Sequence, residues 1–335
     1  MTVRQLTLAA AILVASSSVF AVENGASLNP SEHPDIVSVS GIGFEGTTEC
    51  SGTIIARKWV ITAAHCFLGG EGLYITSGDK TINVKSTHIN PNYNTPGLNA
   101  FAYDMAILEL NESVSKSREI TTDEFVSGDD YKLMGYAGTQ QLKEGTFTAV
   151  GPSIDTDPDG YILNSTTYGA ESGDSGGPIF DTNGQVIGIL SSGTHDIAVR
   201  HLKDSSDWLT QTMNTWNYPA SVSGSGVMTV DIQNLHSQPD VITASGDGTV
   251  SVVSNTCEGV TLNPYATCSI KVTGKGNLHL TGSDVVTVNP SIKPREPDND
   301  GGSGGGGGSF GFGVLGFLGI FAIIVRFKNM RNKNV

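Results

Sequence analysis

Short apolar runs broken by Gly, Asn, Asp and Pro recur along the chain from residue 22 to about 218: DIVSVSG, SGTIIA, KWVITAA, DMAILEL, YKLMGYAG, GPIF and QVIGILSS. They are rich in Val and Ile and too short for helices, so the pattern predicts strands. One stretch departs from it. In SSDWLTQTMNTWN, Trp208, Leu209, Thr212, Met213 and Trp216 share one helical stripe, with Ser205 or Ser206 placed to cap its start and Pro219 beyond its end. The expectation is a β domain over residues 22–218, closed by a single amphipathic helix.

Residues 219–297 change in texture. VMTVDIQN, DVITASG, GTVSVVS, CSIKVTG and DVVTVNP are rich in Ser, Thr and Val and are spaced by turn residues, which predicts a small β-sandwich. TCEGVTLNPYATCSIKV resembles a motif of bacterial immunoglobulin-like modules. Residues 298–309 are acidic at the start and then almost pure glycine, and read as a flexible linker. Residues 310–326 carry no charge until Arg326 and predict a C-terminal transmembrane helix, though 16 apolar residues span only ~24 Å of a ~30 Å hydrocarbon core. Residues 327–335 form a basic tail, which favours a cytoplasmic position for that end.

At the other end, residues 1–21 hold one Arg, an apolar run and small residues up to Ala21, the pattern of a secretory signal peptide. A membrane anchor is the weaker reading, because the run is short and broken by serines. Formal net charge is -14. The basic residues Arg4, Arg326, Lys328, Arg331 and Lys333 all lie in the end segments, so the middle is more acidic than the total. Such a surface repels phosphate backbones and argues against nucleic acid as a partner. Export permits disulfides, and four cysteines allow three pairings. Two local bridges, Cys50–Cys66 and Cys257–Cys268, are the simplest.

The candidate chemistry centres on ESGDSGGPIF, Glu171 to Phe180, where glycines and a proline surround Ser175. A serine hydroxyl is a weak nucleophile without a base and an orienter for that base. WVITAAHC places His65 at the end of an apolar strand, and AYDMAILEL places Asp104 at the start of another, where a buried carboxylate can accept a hydrogen bond from an imidazole. TAAHC, DMAIL and GDSGGP, in that order and with Cys50 and Cys66 in ECSGTIIARKWVITAAHC, resemble the trypsin-like (chymotrypsin-fold) serine endopeptidases over residues 22–217.

That resemblance implies an all-β fold of two antiparallel six-stranded barrels with the site between them. It implies that Ser175 attacks a peptide carbonyl, His65 shuttles the proton, and Asp104 holds His65. The N–H groups of Gly173 and Ser175 would form the oxyanion hole, where a side chain at 173 would crowd the convergence point. A free N-terminal Val22, released by cleavage after Ala21, would pair with Asp174. Gly169 and Ala170 would line the primary pocket, Ser191 would hydrogen-bond near Asp104, and Ser192 and Gly193 would pair with the substrate backbone. Trypsin has an acid where this chain has Gly169, and Glu171 stands in place of a bridging cysteine. A small or apolar residue before the cut is therefore expected, with Asp196 as the one group that keeps a basic preference open.

No cofactor or metal is expected: there is no HExxH and no paired CxxC, and residues 69–80 offer only Glu71 and Asp79. The remaining named histidines, His33, His88, His201, His236 and His279, read as surface or core residues. The Gly-rich run, short span and basic tail resemble the GlyGly-CTERM sorting signal of exported bacterial proteins. This implies export machinery and a rhomboid-type sorting protease as partners, besides a protein or peptide substrate and a membrane contacted through the C-terminal segment. A stable single-pass anchor is the alternative. The expected protein is a secreted or cell-surface serine endopeptidase, against the alternative of a catalytically silent adhesin on a protease fold.

Overall fold

The computed structural model describes residues 21–291 apart from 44–45, 68–70, 140 and 155. The expected signal peptide up to residue 20, the glycine linker, the apolar segment at 310–326 and the basic tail lie outside the described residues. Among those described, no helix is long and apolar enough to cross a membrane.

The apolar runs form two closed barrels. In the first, Ile36–Gly43, Gly46–Ile55, Trp59–Thr62, Ala106–Leu110, Lys80–Ile89 and Glu71–Ser77 follow one another around the ring, and Glu71–Ser77 closes on Ile36–Gly43. Every pairing is antiparallel. Ile54, Ile61, Ile75, Ile107 and Leu108 are fully buried in its core, and truncating one to Ala would cost roughly 2–5 kcal/mol. The second barrel runs Asp130–Gly135, Leu142–Pro152, Gly160–Asn164, Asp196–His201, Val186–Gly193 and Pro178–Phe180, and the last strand returns to the first. Its core of Leu133, Phe147, Leu163, Ile179 and Val199 also takes in Val22. The first residues after Ala21 thus cross to the second barrel, where Ala26–Leu28 pairs with Leu142–Glu144.

The helix is shorter than its stripe. It spans Ser206–Met213 and ends at Asn214, which takes a left-handed conformation. Trp216 therefore lies on the strand Thr215–Asn217, not on the helix. Ser205 occupies the N-cap position, but its hydroxyl accepts from Asn90 Nδ2 at 2.8 Å instead of capping the helix.

Thr215–Asn217 already belongs to the third module, in a sheet with Met228–Leu235, Thr267–Thr273 and Ser251–Asn255. A second four-stranded sheet joins Ser221–Val222, Val285–Val288, Gly276–His279 and Ser245–Gly246. Trp216, Val230, Ile232, Ile270, Val272, Leu278 and Val286 share their core. Cys257 and Cys268 are bonded there, and Cys50 and Cys66 in the first barrel. The module is docked by buried amides: Gln233 Oε1 accepts from Ile120 N–H at 3.1 Å and Gln233 Nε2 donates to Ile120 O at 2.7 Å.

Candidate active site

His65 lies on a single 3-10 turn, Ala64–Phe67, directly after the strand Trp59–Thr62. The Cys50–Cys66 bridge ties that turn to the neighbouring strand. Asp104 ends the loop before Ala106–Leu110, and Trp59–Thr62 pairs with that strand, Thr62 opposite Ala106. Two residues 39 apart in sequence are thereby set side by side.

Asp104 is fully buried. Its Oδ1 accepts the His65 backbone N–H at 2.8 Å, and its Oδ2 accepts His65 Nδ1–H at 2.7 Å and the Ser191 hydroxyl at 2.6 Å. Three donors offset the cost of burying the carboxylate. Because an ionised carboxylate only accepts, Nδ1 carries the proton and the neutral imidazole presents Nε2 as a base. Phe101 stands edge-on to the imidazole, with ring centroids 5.8 Å apart.

The loop around Ser175 packs against the same elements. Ser175 O accepts the Ser51 N–H at 2.8 Å, one residue from the Cys50–Cys66 bridge, and a Cβ added at Gly176 would run into Thr62 Oγ1 and the Ser51 carbonyl. Ser175 is partly exposed. Among the described residues its hydroxyl makes no hydrogen bond, to His65 or to any other group. Likewise, neither the Gly173 nor the Ser175 N–H has an acceptor among the described residues. Gly173 has φ of 100°. The need for glycine there differs from the crowding expected at the oxyanion point. A Cβ at 173 would strike the backbone of Ala137 and Gly138.

Asp174 holds this loop from behind. Its fully buried carboxylate accepts N–H groups from Val22 at 3.1 Å, Ala137 at 3.0 Å and Glu171 at 2.9 Å. Burial pushes its carboxyl up to about 6; the three amides oppose this and the Glu171 charge adds to it.

Gly169 bridges Glu23, donating its N–H to Glu23 O at 3.3 Å and accepting from Glu23 N–H at 2.6 Å. The buried Ala170 donates to Thr194 O at 2.9 Å, across from the turn that follows Ser192 and Gly193. Gly193 has φ of 109°. Asp196 is exposed, and its carboxylate has no hydrogen-bond or ion-pair partner among the described residues. The one described group with metal-ligand spacing is Cys50, His65 and Cys66, whose ligand atoms lie within 4.8 Å of one another. The two sulfurs are spent in the disulfide.

Residues 22–202 match the Trypsin family. The chain belongs to that family. Among its trypsin-family relatives, serine protease MT3772 of Mycobacterium tuberculosis is 27% identical over 180 residues, 49% of this chain and 42% of that protein. The chain thus spans less than half the length of that relative. Serine protease harobin of Hydrophis hardwickii is 29% identical over 210 residues, 53% of this chain and 77% of that protein. The solved structure of HL collagenase, at 15% identity and a TM-score of 0.50, covers 58% of this chain and 99% of that one and speaks for the fold alone.

Two features near these loops escape a reading of the sequence. Ser51 is buried, donates its hydroxyl to Gly173 O at 2.9 Å and accepts Tyr136 N–H at 2.9 Å, so it ties the loop of Gly173 and Ser175 to both barrels. Gly138 lines a polar cleft of about 840 Å³ with Glu49, Tyr74, Asp79, Tyr136 and Thr139. Neither has a local signal: a serine in a strand and a glycine in a turn are ordinary residues until the fold brings them to the site.

Proposed function

We propose that the protein is an exported serine endopeptidase that cuts peptide bonds through an acyl-enzyme. Ser175 Oγ attacks the substrate carbonyl while His65 Nε2 takes its proton. The imidazolium formed is held by the Asp104 carboxylate and then gives that proton to the leaving amine. Water repeats the sequence, adding to the acyl carbon and releasing the new carboxylate and Ser175. The oxyanion is received by the N–H groups of Gly173 and Ser175, each worth roughly 3 kcal/mol in the transition state. The observation that carries this reading is the three-donor grip on Asp104, which fixes the tautomer of His65.

Val22 with a free amine would pair with Asp174, which already receives its N–H. Ser192 and Gly193 offer an edge to an extended substrate. A primary pocket based on Gly169 and Ala170 brings no acid of its own, so a small or apolar residue before the cut is favoured; a buried Lys or Arg would need Asp196. Fast cleavage of chromogenic peptides after Arg or Lys would reverse that preference. The polar cleft beside Gly138 would take the chain on the leaving side. Residues 1–21 would direct export and the glycine-rich C-terminal segment would sort or anchor the protein, while the immunoglobulin-like sandwich would serve as spacer or docking surface.

A catalytically silent binding protein is the second reading, and it draws on the absence of a hydrogen bond between Ser175 and His65. A fluorophosphonate probe separates the two. Labelling that disappears in Ser175→Ala supports the peptidase; labelling that never forms, or that survives the substitution, removes it.

A further inference from the structure

Asp104 reaches His65 from an irregular loop, so some other group has to fix the loop's height. Residues 99–103 have no strand partner. Two bonds from the second barrel hold them: Asn99 N–H donates to Thr156 O at 2.6 Å, and Tyr103 N–H donates to Asp159 Oδ1 at 2.8 Å. Tyr103, the residue just before Asp104, has φ of 55°. A non-glycine residue keeps that conformation only where its surroundings impose it. Met105 N–H then donates to Tyr103 O at 2.7 Å, which closes a tight turn about Asp104 just before the strand Ala106–Leu110.

Asp159 is built to impose it. It is 1% exposed, and so is Arg200, which donates from one terminal nitrogen to Asp157 and, at 3.3 Å, to Asp159 Oδ1. Asp159 O accepts His201 N–H at 2.9 Å, which anchors the residue to the strand Asp196–His201. An unpaired buried carboxylate is costly, and Arg200 supplies the counter-charge. Asp159 Oδ2 and Arg200 Nε have no partner among the described residues.

We propose that Asp159 is a positioning residue for Asp104: the Tyr103 N–H that it holds sets where the Asp104 carboxylate meets His65. This rests on reading His65, Asp104 and Ser175 as the catalytic triad. The loop is thereby gripped from the opposite barrel, and alignment of the base depends on the two barrels staying docked.

The test uses the full chain, a chromogenic peptide, and kcat and KM measured with thermal unfolding on wild type, Asp159→Ala, Asp159→Asn and Ser175→Ala. Misplacement of a catalytic group lowers turnover without touching substrate contacts, so Asp159→Ala should lose on the order of 10- to 100-fold in kcat with KM changed by less than about twofold. Asp159→Asn retains an acceptor for the Tyr103 N–H and should recover most of that loss. A folded Asp159→Ala chain with wild-type kcat overturns the proposal, as does an Asn variant as impaired as Ala. If Asp159→Ala does not fold, Asp159→Ser takes its place under the same criteria: a loss of about tenfold or more in kcat that Asn recovers supports the positioning role, and wild-type kcat in the folded Ser variant refutes it. A wild-type chain no more active than Ser175→Ala removes the triad reading and this proposal together, whereas an active wild type beside an equally active Asp159→Ala removes this proposal only.

Discussion

A chain that begins at Val22 and one that still carries Ala21 differ by one charge at one buried place. With Ala21 attached, the Val22 nitrogen is an amide, and the Asp174 carboxyl sits at about 6 against an ordinary 3.8. A raised folded-state value means that the penalty is absent below the unfolded value near 3.8, builds as pH rises through about 6, and is complete above it. The difference, at 1.36 kcal/mol per unit, comes to about 3 kcal/mol near pH 7. An α-ammonium at the same nitrogen places a full positive charge 3.1 Å from Asp174 Oδ2 and should cancel most of that penalty. Urea unfolding of the two chains between about pH 4 and pH 7 is the assay. The Val22 chain is expected to be the more stable by up to about 3 kcal/mol near neutrality, with the gap closing toward pH 4. Asp174→Asn should then stabilise the Ala21 chain near pH 7 and destabilise the Val22 chain. A gap that stays flat with pH, or one of opposite sign, would refute the reasoning.

Ser191→Ala removes the hydroxyl that donates to the buried Asp104 Oδ2; calorimetry should show a loss of about 1–3 kcal/mol, with kcat falling more than KM. Gly173→Ala forces a Cβ into the Ala137–Gly138 backbone at a φ of 100°; with the Gly173 N–H in the proposed oxyanion role, it moves and kcat should drop on the order of 100-fold. Replacing Cys257 and Cys268 by Ser opens a bridge between residues 11 apart. Denaturant unfolding should report a loss of about 3 kcal/mol in the third module, while kcat of the peptidase stays as it was.

The β character of the chain was legible because strand periodicity is local. So were both disulfides, each spanning a short separation of 16 or 11 residues. The helix stripe was legible only in part. Trp216 fits the stripe by spacing, yet the left-handed Asn214 breaks the helix and the strand pairing of Thr215–Asn217 claims Trp216 for another core. Closure into two barrels was not readable from periodicity and came through resemblance, since ring closure joins strands far apart in sequence. Asp159 gave no signal: in a stretch reading DTDPDG, an acidic residue looks like solvated turn.

The sequence by itself, through the likeness of TAAHC, DMAIL and GDSGGP to one family, marked His65, Asp104 and Ser175 as the candidates for chemistry. What only the tertiary structure decided is how those groups are held. The bonds to Asp104 from Ser191, to Asp174 from Val22 and to Asp159 from Tyr103 join residues 87, 152 and 56 positions apart. Such contacts exist only after long loops have closed and water has been excluded, and local sequence preferences carry no record of either.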